Sequence, residues 1–275
     1  MKKIKTFLAV CLAAAVAVPF AACSSKGTGS SAGSASAGGA SSAAASGGTV
    51  TMSTNATFEP FEYHAGGKIV GIDVDIAEKI AAKLGKTLKI RDVEFSTLPN
   101  ELSSGKCDFV AAGMSVKPDR LKNMDFSDTY FDATQSIIVL KDSSIKKRAD
   151  LNDKTVGVQQ GTTGDDYCTD ADHTSDIHVK DVKRYNKGAD AVSALMSKKI
   201  DAVVIDDFPA QKFVSKNGGK IVKLDDALTV EHYAIAVKKG NTQLLSTINS
   251  VLKDMKSSGE LDKLIADNKS SLEGD

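Results

Sequence analysis

The chain has 275 residues and sets 35 lysines and arginines against 35 aspartates and glutamates, so it lacks the concentrated basic face that nucleic-acid binding needs. Its four cysteines and four histidines show no CxxC or His-rich spacing, which leaves no basis for a disulfide framework or a metal site, and no cofactor is expected.

The first residues, MKKIKTFLAVCLAAAVAVPFAAC, have a basic start, an apolar middle and small residues before a cysteine, the layout of a secretory signal. Ala21-Ala22 leading into Cys23-Ser24-Ser25 resembles a bacterial lipoprotein signal, with Phe20 a less usual residue three places before the cysteine. The resemblance implies that residues 1–22 are removed and that Cys23 carries lipid, palmitate included, holding the protein at the extracytoplasmic face of the cell membrane. Residues 23–48 are almost wholly Ser, Gly and Ala, which cannot bury enough apolar surface to offset ordering entropy. They read as a flexible tether with a reach of about 25–30 Å.

The body begins with a strand at Thr49–Ser53 that ends in the loop NATFEPFEY, whose Asn55, Phe58 and Phe61 are ligand contacts or core anchors. His64–Lys68 reads as a turn and Ile69–Ile72 as a returning strand. Asp73 is placed to cap a helix whose apolar face is Ile76, Ala77, Ile80, Ala81 and Leu84, closed by Gly85. Leu88–Ile90 is a further strand, Phe95-Ser96 a loop, and Pro99 opens a short helix. Phe109–Ala112 then forms a buried strand, and Gly113 allows close backbone approach. Past the glycine, Ser115 offers a hydroxyl and Arg120 a planar fork of donors, on either side of a turn at Pro118-Asp119. Together with free backbone N–H groups they suit a carboxylate. The plainer alternative pairs Arg120 with Asp119 or Asp125 at the surface.

Ser136–Leu140 reads as a strand and Thr155–Val158 as another, running into Gln159-Gln160-Gly161-Thr162-Thr163-Gly164. Such a turn presents N–H groups and hydroxyls to an anion, but it is not a P-loop because no Gly-Lys-Ser/Thr follows. Asp165, Asp166, Asp170, Asp172, His173 and Asp176 lack the glycine and glutamate of a calcium loop and read as a solvated acidic surface. After a strand at Val179–Arg184, Ala189, Val192, Leu195 and Met196 stripe a helix as core residues. Ile200–Ile205 is a buried strand ending in Asp206-Asp207, where one carboxylate can receive an ammonium and the other can cap a helix. Ile221-Val222 and Tyr233–Val237 are the last strands, before an amphipathic helical tail interrupted at Gly259. The alternation of strands and helices argues an α/β fold whose ligand sits at the carboxyl ends of the strands.

In order and spacing, TFEPFEY, GIDVDIAEKIAAKLG, EFSTLPNELSSGKCDFVAAGMSVKPDR, DFSDTYF, VGVQQGTTGDDY, DAVVIDDFP and YAIAVKKGN resemble the polar amino acid-binding proteins of ABC importers, bacterial solute-binding protein family 3. The likeness covers nearly everything after the tether. It implies a two-lobed type II periplasmic-binding-protein fold with the cleft between lobes, lobe 1 being residues 49–138 plus 233–275 and lobe 2 residues 139–232. It implies a monomer that takes an amino acid to a membrane permease and ATPase. Arg120 would hold the α-carboxylate, helped by Gly113, Ser115, Thr162 and Thr163; Asp206 would take the α-ammonium, and Phe58 and Phe95 would flank the side chain. Asn55 stands where members that prefer cationic side chains often carry aspartate, which argues against a strongly basic ligand.

The same fold serves ligand-sensing receptor components and enzymes of the cyclohexadienyl dehydratase kind. His64, His173, His178 and His232 have no spacing with a serine or cysteine that suggests a nucleophile, and Glu59 and Glu94 are the best candidates for an acid. A binding protein rather than an enzyme is expected. Cys107 and Cys168 read as buried thiols.

Overall fold

The computed structural model describes residues 47–170 and 175–273. The signal, Cys23, nearly all of the tether, Asp172 and His173 lie outside the described residues.

In chain order, β1 (Thr49–Thr54) leads into β2 (Thr57–Phe58), β3 (Glu62–Ala65) and β4 (Lys68–Val70), which pair with one another as a small antiparallel sheet. Then come α1 (Ile72–Lys83), β5 (Thr87–Asp92), α2 (Leu98–Ser103), β6 (Phe109–Val110), α3 (Pro118–Leu121), β7 (Met124–Phe126) and the long β8 (Phe131–Leu140). The second half runs β9 (Thr155–Gln159), α4 (Thr163–Thr169), β10 (Asp181–Tyr185), α5 (Gly188–Met196), β11 (Ala202–Asp206), α6 (Asp207–Lys216) and β12 (Ile221–Lys223). It ends with β13 (Val230–Tyr233), β14 (Ala236–Lys238), α7 (Thr242–Ser257) and α8 (Glu260–Glu273).

Two large sheets result, one ordered β5-β1-β6-β14-β7 and the other β10-β9-β11-β8-β12. In each the central strands are parallel; β14 runs antiparallel in the first sheet, and β8, the earliest strand of the second, runs antiparallel there. Parallel strands covered on both faces must be apolar throughout, and β11 accordingly has every residue buried. Val139, Val156, Val158 and Val204 pack one face of the second sheet, and Val110, Met114, Met124 and Ala236 one face of the first. The sheets are joined where the first part of β8 pairs with β13, Phe131 opposite Tyr233 and Thr134 opposite Val230. From Gln135 onward β8 pairs with β11 instead. Phe61, Phe131, Phe208 and Tyr233 pack at that crossing with ring centroids 5.0–6.1 Å apart, edge to face except for the tilted pair Phe131 and Tyr233.

Several local expectations change. Glu62–Ala65 is a strand, not loop and turn, because its partners on both sides are too short to show alternation in the sequence. Asp73 does not cap α1; Gly71 holds that position, and Asp73 is the second residue of the helix, wholly buried. Pro118–Leu121 is one turn of helix rather than a bare turn. In α5 the buried face is Ala191, Val192, Ala194 and Leu195, which leaves Met196 at 37% exposure and out of the core. The acidic cluster is not simply solvated. Asp165 is buried against Arg184, with Nε to Oδ1 at 2.9 Å, and Asp166 pairs with Lys117. Cys107 and Cys168 are both free and buried, and burial pushes the Cys168 thiol up to about 12.

Candidate functional site

The carboxyl ends of β1, β6, β9 and β11 converge, and each contributes the residues that follow it. Asn55, Phe58, Phe95, Gly113, Ser115, Arg120, Thr162, Thr163 and Asp206, the nine residues singled out in the sequence, all line one narrow cavity. Glu62, Ala112 and Gln159 complete the lining, and sequence reasoning missed them. For Glu62 and Gln159 the available signal was weak: each is a polar residue inside what turns out to be a strand, at 0% and 4% exposure.

Arg120 is buried at 7% exposure, and its fork reaches across the cavity. Nη1 donates to the Ser115 carbonyl at 2.8 Å and Nη2 to the Gly161 carbonyl at 3.0 Å, so one guanidinium touches residues that follow β6 and β9. Its carbon stands 5.5 Å from the centre of the Phe95 ring. The surface alternative fails: Asp119 pairs with Lys117 and Asp125 with Lys239. Burial alone would lower the Arg120 pKa, and Asp166 and Asp119, at longer range, work against that. A guanidinium this deep with only carbonyl acceptors leaves most of its donors for an anion.

Asp206 ends β11 at 6% exposure, and its side chain makes no cap bond to α6. It accepts a hydrogen bond from the Tyr233 hydroxyl. Burial first, then the negative charge of Glu231, raise its pKa from 3.8 to about 7. Asp207 points elsewhere, to Ser136 and Lys223.

The small groups differ from expectation in polarity. Gly113 adopts φ +52°, and a Cβ there would lie 2.7 Å from the Phe58 ring, so glycine is required. Its N–H, expected to be free for a ligand, donates instead to Asp73 Oδ2 at 2.8 Å. The Thr162 hydroxyl donates to the Gln159 carbonyl at 2.8 Å and caps α4 through Asp165 N at 3.3 Å. Ser115 and Thr163 both donate to Glu231 Oε2, at 2.5 and 2.7 Å. None of the three hydroxyls therefore points a proton at an anion. Asn55 is also spoken for: its Oδ1 accepts from Thr57 at 2.8 Å and from Gln159 Nε2 at 2.9 Å, and its Nδ2 donates to the Val93 carbonyl at 2.7 Å.

Glu62 is the outlier. Neither of its oxygens meets an N–H or O–H donor. Its neighbour is Asp73, a second fully buried acid, which takes the Gly113 N–H and the Tyr130 hydroxyl. Burial, then the Asp73 charge, hold the Glu62 pKa well above the usual carboxylate range, and burial lifts Asp73 to about 6. Two buried acids in contact share a proton rather than both ionise. Glu59 and Glu94, the acids named from sequence, are not in the lining. Glu59 is bound to Lys216 at 2.6 Å and Glu94 to Asn186 at 2.6 Å.

Residues 50–268 match the family model described as bacterial extracellular solute-binding proteins, family 3. The arginine-binding extracellular protein ArtP of Bacillus subtilis is 32% identical over 94% of this chain and 96% of that protein. The ABC transporter glutamine-binding protein GlnH of the same organism is 32% identical over 96% of each. Among solved structures, a mutant of the arginine-binding protein ArgBP from T. maritima superposes with a TM-score of 0.75 at 43% identity, over 81% of this chain and 95% of the other. Two sheets joined by paired crossing strands, an α/β cleft between them and this extent of likeness lead to one conclusion: the chain belongs to the bacterial extracellular solute-binding proteins, family 3.

Proposed function

We propose that this protein captures a free amino acid outside the cytoplasm and hands it to an ABC importer, with Arg120 on the α-carboxylate and Asp206 on the α-ammonium. The observation that carries the reading is one cavity holding a buried guanidinium without a carboxylate partner among the described residues and a buried acid from the other sheet. Each charge is costly alone, and a zwitterion answers both. The lobes are residues 49–138 with 233–275 and residues 139–232, and the paired segments 131–134 and 230–233, which link the two sheets, support a hinge there. Closure brings the two half-sites together around the ligand.

The ligand's side chain lies between Phe58 and Phe95 and ends at Glu62. A carboxyl that shares a proton with Asp73 and meets no N–H donor keeps acceptor capacity for a terminal group rich in N–H donors, a guanidinium foremost and an amide next. Asn55, standing where cation-preferring members often carry aspartate, argues against a strongly basic ligand, and Glu62 offers an acid from a different position. A thermal-shift panel of arginine, lysine, glutamine, histidine and cystine tests the reading. Arginine or glutamine should stabilise most, since a ligand at about 100 times its Kd adds about 2.7 kcal/mol. Absence of any shift across the panel would overturn it.

The likeness to amino acid-binding proteins favours binding over turnover. Cys23 is the proposed lipid attachment site after loss of residues 1–22, with residues 23–48 as the tether. Metabolic labelling with palmitate should mark the wild type and not Cys23→Ser.

A further inference from the structure

Glu231 lies outside the cavity lining, on β13, and shares with Ser115 and Thr163 a second, more open hollow beside the first. It is buried at 7% exposure, and its bonds are unusually directed. Oε2 accepts from Ser115 Oγ at 2.5 Å and from Thr163 Oγ1 at 2.7 Å, while Oε1 accepts from Thr229 at 2.8 Å. A carboxylate has no proton to give, so both cleft hydroxyls must spend theirs on it. Ser115 Oγ keeps two lone pairs. Thr163 Oγ1, which also accepts from Gln135 Nε2 at 3.1 Å, keeps one.

We propose that Glu231 is a positioning residue that sets the polarity of the cleft: by taking the protons of Ser115 and Thr163 it turns their lone pairs to the cavity, making them acceptors for the ligand's amino group. This rests on the amino-acid reading and deepens it. The two hydroxyls come from opposite sheets, one following β6 and one opening α4, so Glu231 orders them together only when the halves meet. The site then holds an ammonium by Asp206 and two polarised hydroxyls, and it leaves the carboxylate to Arg120. A des-amino acid would face these acceptors with nothing to donate.

The test is calorimetry with two pairs of probes: L-arginine with 5-guanidinopentanoate, and L-glutamine with 4-carbamoylbutanoate, each second member lacking only the α-amino group. Both hydroxyls use the same oxygen of Glu231, which a glutamine amide could still supply, so the variant is Glu231→Leu, which keeps most of the volume and removes every acceptor, leaving neither hydroxyl a Glu231 oxygen for its proton. The expected result is a loss of about 10–100-fold in affinity for the amino acid that binds, as for one charge-assisted hydrogen bond, against less than about threefold for its des-amino partner. Equal losses for both members would overturn the role of Glu231 while leaving amino acid capture intact. Failure of the wild type to bind either amino acid would overturn the reading beneath it. A cycle gives a second measure: in a Ser115→Ala/Thr163→Val background, Glu231→Leu should change affinity less than about twofold, and additive losses would show that Glu231 does not act through the hydroxyls.

Discussion

Asp206 carries the clearest consequence at the scale of single residues. Unfolded, it ionises near 3.8; folded, near 7, because burial and Glu231 disfavour its charge. Between those values the fold holds a proton that the unfolded chain does not, so this group's contribution to ligand-free stability falls as pH rises from about 4 to 7. Ligand binding runs the other way. An ammonium needs the ionised acid, so binding below pH 7 must release the proton, and Kd should rise about tenfold per pH unit between 7 and 5. Calorimetry in buffers of different ionisation enthalpy reads that proton directly, and Asp206→Asn should abolish its release. Glu62 makes a separate prediction. Glu62→Gln removes the shared proton and the charge it can become, so affinity for arginine should drop at least about tenfold while glutamine changes little. A competition assay between the two amino acids checks it.

Among the secondary-structure elements, the sequence was most informative where hydrophobic runs were long. The buried strands at residues 109–110, 155–159 and 202–206 showed as apolar stretches, and their carboxyl ends carry most of the site. Every residue picked by that logic and by family likeness does line the cavity. What stayed hidden depended on contacts between distant parts of the chain. Asp73 reads in the sequence as a helix cap, but it lies inside the first turn and its oxygens serve Gly113 and Tyr130, forty and fifty-seven positions away. Glu62 looked like a loop acid because β2 has only two residues, too few to show a period. The direction of a hydroxyl proton is invisible in sequence, which is why Ser115 and Thr163 read as anion donors. One element-scale feature can be tested through Gly71, which precedes α1 with φ +128°; a Cβ there would stand 2.3 Å from the Phe61 carbonyl oxygen. Gly71→Ala should cost more than about 1 kcal/mol, lowering the melting temperature by about 2–4 °C per kcal/mol in a domain of this size.

Across the whole molecule, the two halves meet through polar contacts that can be broken without exposing much core. Gln159 donates to Asn55 at 2.9 Å, Arg120 to the Gly161 carbonyl at 3.0 Å, Lys216 holds Glu59 at 2.6 Å, and Lys117 holds Asp166. Each such pair is individually modest, whereas the aromatic crossing at Phe61, Phe131, Phe208 and Tyr233 is apolar and continuous with the core. That contrast fits a hinge that stays packed and a cleft that opens. Small-angle scattering with and without ligand should register a smaller radius of gyration on binding. The most direct test of the account is calorimetric titration of wild type, Arg120→Ala and Asp206→Ala with the amino acid selected by the panel. The account predicts tight binding by wild type and, in each variant, a loss of about 2–5 kcal/mol with a cooperative thermal unfolding transition retained. Near-normal affinity in either folded variant would contradict it.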